Sequence, residues 1–428
     1  MERGEGCTLV DCDGHRYLDF LNNYTALVLG HAHPAVTAAA TEQMARGAIF
    51  GAPSAAQYQL AELICQRVPG VDYLRYTNSG TEATMMAMRA ARAYSGKQII
   101  LKMDGGYHGS HDFAEVNITP DPNPHGQPTP LPEQGGVPHA VLGGTMVARF
   151  NDLASVEAAL EEHHDRIAGL IVEPLQNSAG MIVAQPGFLA GLRQLADKYQ
   201  VLLIFDEVVT FRLHEGGMQK MTGIIPDLTA LGKSIGGGYA IGAFGGEAEI
   251  MRRYDPAFPR GFHHSGTFNG HNVAMAAGAA TLRHFGPAEI AHIDALGDRL
   301  RAGFAPYTLS TDLTTLTHGK ADRLSLSLVM SEFMALGFSL SEVIRRVTGN
   351  PARALGESAT RGSLREGMLA DLTLFHVRAG DYTFSDGRAG HTQKGAALIV
   401  PEMVIKAGVI MPTDGIDPNW APLTPHPG

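Results

Sequence analysis

Cysteine is scarce in this sequence, and long uncharged apolar runs are absent. The 428 residues include only three cysteines, Cys7, Cys12 and Cys65. Such an odd and sparse set does not make a disulfide framework, so we expect a reducing compartment. No apolar run is long enough to span a bilayer, and the amino-terminal residues lack the apolar core of a signal peptide. These absences predict a cytoplasmic protein without a membrane partner.

Positive charge is also in short supply. The chain has 33 lysines and arginines against 43 aspartates and glutamates, which gives a net charge of −10 at pH 7. This balance argues against a nucleic acid or an anionic membrane as the general partner. The length is sufficient for two or three domains, and the 44% hydrophobic content is typical of a globular protein.

Short apolar runs alternate with helical patterns between about residues 60 and 250. Candidate strands are 73–76, 98–102, 147–150, 169–173, 201–206 and 240–245, and candidate helices are 82–94, 153–162, 187–199 and 272–284. This alternation predicts an α/β fold with a mostly parallel sheet and helices on both faces. The ligands of such folds bind at the carboxyl ends of the strands. The Pro- and Gly-rich stretch 119–144 predicts a long surface loop.

The character of the sequence changes near residues 303–306. Beyond them we expect helices at 326–334 and 339–348, then short strands at 372–376, 382–385, 397–400 and 403–407. This pattern predicts an atypical α+β module at the C-terminus. We therefore expect an amino-terminal segment (1–60), a ligand-binding large domain (61–285), a helical connector (286–308) and the C-terminal module (309–428).

The run Asn78-Ser-Gly-Thr-Glu82 follows a candidate strand and opens a candidate helix. Such a turn directs backbone N–H groups, two hydroxyls and the positive end of the helix dipole at one point, which suits a phosphate. The alternative is a plain helix cap made by Ser79 or Thr81. Taken alone, the motif favours the cap.

Two further strand ends carry ionisable side chains. The apolar run that begins at Val201 ends in Asp206 and Glu207, and a carboxylate there can pair with a protonated ring nitrogen and keep that ring an electron sink. A helix cap or an ion pair is an equal alternative. Lys233 lies between an apolar run and a glycine triplet, where apolar surroundings favour the neutral amine that forms imines. A solvated surface lysine is the common alternative.

The GGYHG run at 105–109 follows the strand at 98–102 and can place the ring of Tyr107 against a planar ligand, unless that ring is an ordinary loop side chain. A competing motif is His31-x-His33 in GHAHP, because such pairs also bind metals. No third and fourth ligand follow at a convincing spacing. The metal interpretation is therefore the weaker one.

Taken together and in this order, these motifs resemble the class III aminotransferases of the fold-type I pyridoxal-phosphate (PLP) enzymes. The resemblance runs from about Arg3 to His284 and rests on RGEG, GHAHP, TNSGTEA, GGYHG, IVEP, FDEVV, LGKSIGGG and HSGTFNG. FDEVVTFRL, DLTALGKSIGGG and GAFGG are most similar to the branch of the β-amino-acid aminotransferases and glutamate-1-semialdehyde aminomutases. The resemblance implies a transfer of an amino group from a small-molecule amino donor to a 2-oxo acid, with aminomutase chemistry as the alternative.

The resemblance also implies roles for individual residues. Lys233 would hold PLP as a Schiff base and move the proton, while Asp206 would pair with the pyridine nitrogen. The other residues that it places at the cofactor are Ser79, Gly80 and Thr81 at the phosphate, Tyr107 and Val208 at the ring faces, His108 and Glu173 beside them, and Thr267 reaching the phosphate of a neighbouring subunit in a homodimer. Tyr24 and Arg212 would contact the substrate, although a surface ion pair is an equal alternative for Arg212.

The C-terminal stretch from about 309 to 411 resembles the end of amidohydrolases of the dihydroorotase and deacetylase kind. There the residue matching Asp312 serves the metal site, but the barrel that carries the other ligands is missing here, so Asp312 is expected to be structural. The segment that usually precedes RGEG and the usual small domain after His284 are also expected to be missing, which leaves the substrate open. A metal-dependent amidohydrolase and an inactive fusion product are the other two hypotheses.

Overall fold

In a computed structural model, the described residues are 1–121, 126–301, 326–335, 337–354, 358–369, 371–385, 392–406 and 409–411. The chain divides into two compact units, Met1–Leu296 and Gly297–Gly428. Helix Ala55–Arg67 runs across the division expected after residue 60, and helix Pro287–Arg301 begins after the one expected at 285. The division of the chain into the four predicted segments therefore stays a prediction. Within the described ranges, no helix is both long and apolar enough to cross a membrane.

A seven-stranded sheet forms the centre of the first unit. Its strands, in spatial order, are Tyr73–Thr77, Gly242–Gly246, Leu228–Gly232, Leu202–Asp206, Ile167–Val172, Ile99–Met103 and Thr145–Ala148. Only Gly242–Gly246 runs antiparallel to its neighbours, so the other six strands point the same way. The predicted mostly parallel sheet is confirmed, with strand ends displaced by one or two residues.

Helices pack on both faces of this sheet because alternate residues of its buried strands point to opposite sides. Leu101, Leu170 and Leu203 join one apolar cluster with helices Leu153–His163 and Phe188–Tyr199. Ile100, Ile171 and Ile204 join another with helix Gly80–Ser95. The remaining helices of this unit are Asn22–Thr25, Pro34–Arg46, Ala55–Arg67, His139–Leu142, Gly217–Thr222, Ala248–Met251 and Asn272–His284, and its 3-10 turns are Thr210–Leu213, Lys233–Gly236 and Arg252–Tyr254. Helix Pro287–Arg301 begins in this unit and ends beyond residue 296.

Two regions outside the sheet add small elements. The amino-terminal strands Arg3–Glu5, Thr8–Val10 and Arg16–Leu18 form an antiparallel sheet, and Leu175–Gln176 pairs with Ile182–Val183. The stretch 119–144 that was predicted as one loop contains the four-residue helix His139–Leu142. Its residues 122–125 lie outside the described part of the chain.

The second unit has helices Leu326–Ala335, Leu340–Val347 and Gly349–Ala354 and an antiparallel sheet of Leu372–Ser385, Thr392–Lys406 and Val409–Met411. The prediction of several short strands was wrong, because the first two strands are long and form one hairpin. Shifts of register after Leu374 and Ala379 absorb the residues that suggested breaks. Asp312 lies outside the described residues.

Candidate functional site

The candidate residues gather at one edge of the seven-stranded sheet. The six strands that point the same way end here. Candidates directly follow four of these strands: Asn78–Thr81, Asp104–His108, Glu173 and Lys233. Asp206 is the last residue of a fifth strand. This edge is where ligands bind in open α/β sheets. The sequence motifs, far apart along the chain, therefore meet because the topology places their strand ends together.

The turn at Ser79 opens the sixteen-residue helix Gly80–Ser95. The hydroxyl of Ser79 accepts the N–H of Glu82 at 3.1 Å, and the hydroxyl of Thr81 accepts the N–H of Ser110 at 3.3 Å. The first N–H groups of a helix lack acceptors within the helix and attract anions. The structure thus shows that Ser79 caps the helix, and the phosphate site stays a prediction.

Val208 lies against this turn. A Cβ atom added to Gly80 would lie 3.0 Å from Cγ1 of Val208, and one added to Gly232 would lie 3.3 Å from the same atom. A larger residue at either position would press on Val208, because the strand end before Lys233, the helix start and Val208 approach one another closely. This packing brings the backbone beside Lys233 to the Ser79–Thr81 turn.

Asp206 is buried and carries two hydrogen bonds. Its Oδ2 lies 2.8 Å from Nδ1 of His108, and its Oδ1 accepts the N–H of Val208 at 3.1 Å. Burial lowers the pKa of His108, which holds the imidazole neutral. Because an ionised carboxylate only accepts hydrogen bonds, the Nδ1–H of a neutral His108 donates to Asp206. The carboxylate is thereby oriented, and the structure places His108 against Asp206.

Tyr107 and Glu173 are also joined. Glu173 is buried; its Oε1 accepts the N–H of Tyr107 at 2.8 Å, and its Oε2 accepts the N–H of Asn177 at 3.3 Å. Burial, together with the nearby charge of Asp206, raises the pKa of Glu173 to about 8. Glu173 therefore anchors the backbone of Tyr107, whose ring is partly exposed at the same edge of the sheet.

Lys233 directly follows strand Leu228–Gly232 and begins the 3-10 turn Lys233–Gly236. Its φ of 46° lies in the left-handed region, which is uncommon for a residue with a side chain and recurs at functional sites. Residues 204–206 pair with residues 228–230 of its strand in parallel register, so Asp206 and Lys233 end adjacent strands.

The remaining candidates are less closely tied to this edge. Arg212 lies in the turn Thr210–Leu213, where burial lowers its pKa, and it has no ion pair among the described residues. Thr267 is exposed. Its loop is held beside the Ser79–Thr81 turn by a 2.9 Å hydrogen bond from Nδ2 of Asn78 to Oδ1 of Asn269. Tyr24 is exposed in a run of left-handed residues, 22–25. The structure does not join Tyr24 to Lys233 or Asp206 by any described contact.

The histidines of the competing metal motif have other partners. Nε2 of His31 lies 2.7 Å from Oδ2 of Asp19, and the ring of His33 packs 5.6 Å from that of His284. In the described part of the chain, the one group of three possible ligands is Asp11, Asp13 and His15 on the surface. Asp11 there accepts a hydrogen bond from Tyr17. Neither His31 nor His33 belongs to this group.

Comparisons with known proteins agree with this geometry. The family model of class III aminotransferases matches residues 1–311, and that of the amidohydrolase family matches residues 317–412. The chain is 44% identical to a glutamate-1-semialdehyde 2,1-aminomutase from Brevibacillus brevis over 307 residues, which are 71% of this chain and 70% of that protein.

Solved structures are similar over the same region. An omega-transaminase from Sphaerobacter thermophilus is 47% identical with a TM-score of 0.68, and the match covers 70% of this chain and 69% of that one. A β-phenylalanine aminotransferase from Variovorax paradoxus is 41% identical with a TM-score of 0.62, over 70% and 66% of the two chains. The chain belongs to the class III aminotransferase family. It is a PLP-dependent enzyme that acts on amino donors and 2-oxo acids.

Proposed function

We propose that this enzyme transfers the amino group of a β-amino acid to a 2-oxo acid, with Lys233 as its catalytic residue. The observation that carries the assignment of the site is the convergence of Lys233, Asp206 and the Ser79–Thr81 turn at one edge of the sheet. These groups supply an amine for the aldehyde of PLP, a buried carboxyl group for its pyridine nitrogen and an anion site for its phosphate. The residues present therefore fit the cofactor.

In this proposal, each residue acts on its own part of the cofactor. The amides and hydroxyls of the Ser79-Gly80-Thr81 turn bind the phosphate, and Thr267 binds the phosphate of the partner subunit in a homodimer. Tyr107 covers one face of the ring and Val208 the other. Asp206 holds a proton on the ring nitrogen, and His108 acts through Asp206 as a positioning residue. Glu173 holds Tyr107 in place.

Lys233 has two tasks. Its Nζ would hold the aldehyde of the cofactor, and the same Nζ would take the proton from the carbon that bears the substrate's amino group and later give that proton back. Bound PLP supplies the electron sink for the bonds at that carbon. The strained backbone at Lys233 fixes where the side chain starts, and so limits the positions that Nζ can reach.

Arg212 is the proposed receptor for the substrate carboxylate. It is half-buried, it has no ion pair with any described residue, and a guanidinium binds a carboxylate through two parallel hydrogen bonds. A β-amino acid is the favoured donor because one structural relative is a β-phenylalanine aminotransferase. Tyr24 is proposed to line the entrance.

Product analysis tests this proposal. Incubation of the holoenzyme with β-phenylalanine and 2-oxoglutarate should give glutamate, and Arg212→Met should raise KM for β-phenylalanine about 10- to 100-fold, the effect of losing a charged hydrogen-bonded pair. KM for 1-phenylethylamine, which has no carboxylate, should not change. Arg46→Met is the control, since Arg46 pairs with Glu42 on the surface. An equal change of KM for both amines would exclude Arg212 as the carboxylate receptor.

The second candidate is the isomerisation of glutamate-1-semialdehyde, because several relatives, including that of Brevibacillus brevis, are aminomutases for this compound. It needs the same lysine and the same cofactor. The two functions differ in whether the keto product leaves the enzyme. Formation of 5-aminolevulinate from glutamate-1-semialdehyde, with no amino transfer from β-phenylalanine, would replace the first candidate with the second.

A further inference from the structure

Lys102 is a fully buried lysine in the middle of the first unit. It lies in strand Ile99–Met103, between strands Ile167–Val172 and Thr145–Ala148, and its side chain has no exposure to solvent. A buried ammonium group is costly unless hydrogen bonds replace its water shell. Lys102 does not belong to the proposed cofactor or substrate site, so its buried position needs a separate explanation.

The ammonium group of Lys102 binds backbone carbonyls. Nζ donates to the carbonyl oxygen of Gly106 at 2.8 Å, to that of Ala114 at 3.4 Å and, by a short contact, to that of Val116. A protonated lysine has three N–H donors, so all three are used. No carboxylate touches Nζ in the described structure, and the cation therefore serves the backbone of one segment, residues 104–116.

This segment carries the groups that cover and orient the proposed cofactor site. Gly106 directly precedes Tyr107, whose N–H bonds to Glu173, and His108 follows with its hydrogen bond to Asp206. Ala114 and Val116 lie at the far end of the same segment. Lys102 thus ties both ends of the segment to the strand below it, while Glu173 and Asp206 hold its middle.

The charges around Lys102 determine its protonation. Burial lowers the pKa of Lys102 to about 8, and Glu173, Asp104, Glu133 and Glu115 oppose this shift. His108 and His111 also lie near enough for their charged forms to interact with Lys102. Burial lowers the pKa of both histidines, so both are neutral near pH 7 and do not repel the ammonium group. Lys102 is therefore mostly protonated at neutral pH. A neutral amine would turn a lone pair towards one of the three carbonyl oxygens.

We propose that Lys102 is a positioning residue for the reaction, which acts by clamping residues 104–116 so that Tyr107 and His108 stay in register with the cofactor ring and Asp206. The inference rests on the roles proposed above for Tyr107 and Asp206. A long apolar side chain would fill the same strand position without desolvating a charge, so stability alone does not account for a lysine here. The three carbonyl bonds give the charge a purpose that packing does not.

The test compares the Lys102→Met holoenzyme with wild type. Met keeps the length of the side chain and removes all three donors. We expect the variant to bind PLP on Lys233, to show a weakened circular dichroism signal of the bound cofactor, and to lose about 10- to 100-fold in kcat, as for a small misplacement of reacting groups. Deuterium exchange should become faster in peptides that cover residues 104–116 and stay unchanged in helix Phe188–Tyr199.

Lys97→Met is the matched control. Lys97 lies just before the same strand, and its Nζ bonds to the carbonyl oxygen of Gln200, away from the segment. This variant should retain the dichroism signal, kcat and exchange of wild type. The proposal is overturned if Lys102→Met melts at a lower temperature but retains the dichroism and kcat of wild type, because that pattern describes a purely structural residue.

Two further measurements cover other outcomes. If Lys102→Met does not fold, the wild-type holoenzyme is compared at pH 7 and pH 9.5, with deuterium exchange corrected for its intrinsic dependence on pH. Protection of residues 104–116 should fall at pH 9.5, and unchanged protection would overturn the proposal. The Glu173→Gln holoenzyme, in which residue 173 does not titrate, should lose the same protection between these pH values, which excludes ionisation of Glu173 as the cause. Wild-type protein that fails to bind PLP would instead refute the proposed function.

Discussion

Nδ1 of His108 lies 2.8 Å from Oδ2 of Asp206, and both side chains are buried beneath the edge of the sheet where the parallel strands end. The bond joins residues separated by 98 positions. The bond fixes the direction of the Asp206 carboxyl group, and burial lowers the pKa of the His108 imidazole. In the proposed function, His108 thus orients the group that pairs with the ring nitrogen of the cofactor.

Removal of this donor should impair the enzyme in proportion to what replaces it. His108→Ala leaves one oxygen of a buried carboxylate without its partner, a loss of about 1.5–3 kcal/mol for a charged hydrogen bond. We expect kcat to fall about 10- to 100-fold, as measured by steady-state transamination with saturating PLP.

His108→Asn provides the comparison for this variant. Its amide can present an N–H close to the position of Nδ1, so most of the activity of wild type should be retained. Equal losses of kcat in His108→Ala and His108→Asn would show that the hydrogen bond to Asp206 is not what matters at this position.

Glu173 makes stability depend on pH. Its pKa of about 8 in the folded chain lies above the ordinary 4.5, so the folded state holds a proton that the unfolded state releases between these values. The contribution is complete below about pH 4.5 and is lost as the pH rises through about 8. Glu173→Gln retains the acceptor for Tyr107 and removes the titration. Its melting temperature should therefore decline less between pH 5 and pH 8 than that of wild type.

A second buried carboxyl group, that of Glu207, does not disturb this comparison. Burial also raises the pKa of Glu207, whose carboxylate accepts hydrogen bonds from Met218, Gln219 and Thr210. Its contribution is common to wild type and Glu173→Gln and should cancel in the comparison. Identical dependence of the two melting temperatures on pH would contradict a raised pKa at Glu173.

Ser79 should contribute both to stability and to cofactor binding. Ser79→Ala removes the cap of helix Gly80–Ser95 and should lower the free energy of unfolding by about 1 kcal/mol. It also removes a hydroxyl from the proposed phosphate site, so the Kd for PLP, measured by titration of the apoenzyme, should rise.

Ser54→Ala separates the two effects. Ser54 caps helix Ala55–Arg67 in the same unit and lies outside the proposed site. Its loss should lower stability to a similar extent and leave the Kd for PLP unchanged. A similar change of Kd in both variants would assign the effect of Ser79→Ala to general destabilisation.

Much of the site could be predicted from sequence because each motif is local. Asp206 and Lys233 lie at the ends of apolar runs that form buried strands, and Ser79 follows the partly buried strand Tyr73–Thr77. The rule that ligands bind at parallel strand ends brings the three residues together. The hydrogen bond between His108 and Asp206 could not be predicted, because the spacing of the two residues along the chain does not show which strand ends lie close together. The mostly parallel sheet was predicted correctly because alternation of strand and helix is typical of such sheets, although alternation does not give the order of the strands.

Other features depend on tertiary contacts that sequence patterns hide. A lysine within a strand usually indicates an exposed position, yet Lys102 is buried because carbonyls from residues 106–116 replace its water shell. In the C-terminal unit, short strands were predicted on either side of Gly380 and of Pro401, at 372–376, 382–385, 397–400 and 403–407. The long hairpin continues past both, with shifts of register near them. Local breaking signals were outweighed there by the pairing of two strands along their whole length.

The central claim is that Lys233 is the residue that binds PLP, and mass spectrometry tests it most directly. The holoenzyme is treated with borohydride, digested, and searched for a pyridoxyl-phosphate adduct. We predict the adduct on Lys233, and its disappearance in Lys233→Ala together with the visible absorbance of the protein. An adduct on another lysine such as Lys102, or none in wild-type protein incubated with PLP, would contradict the account.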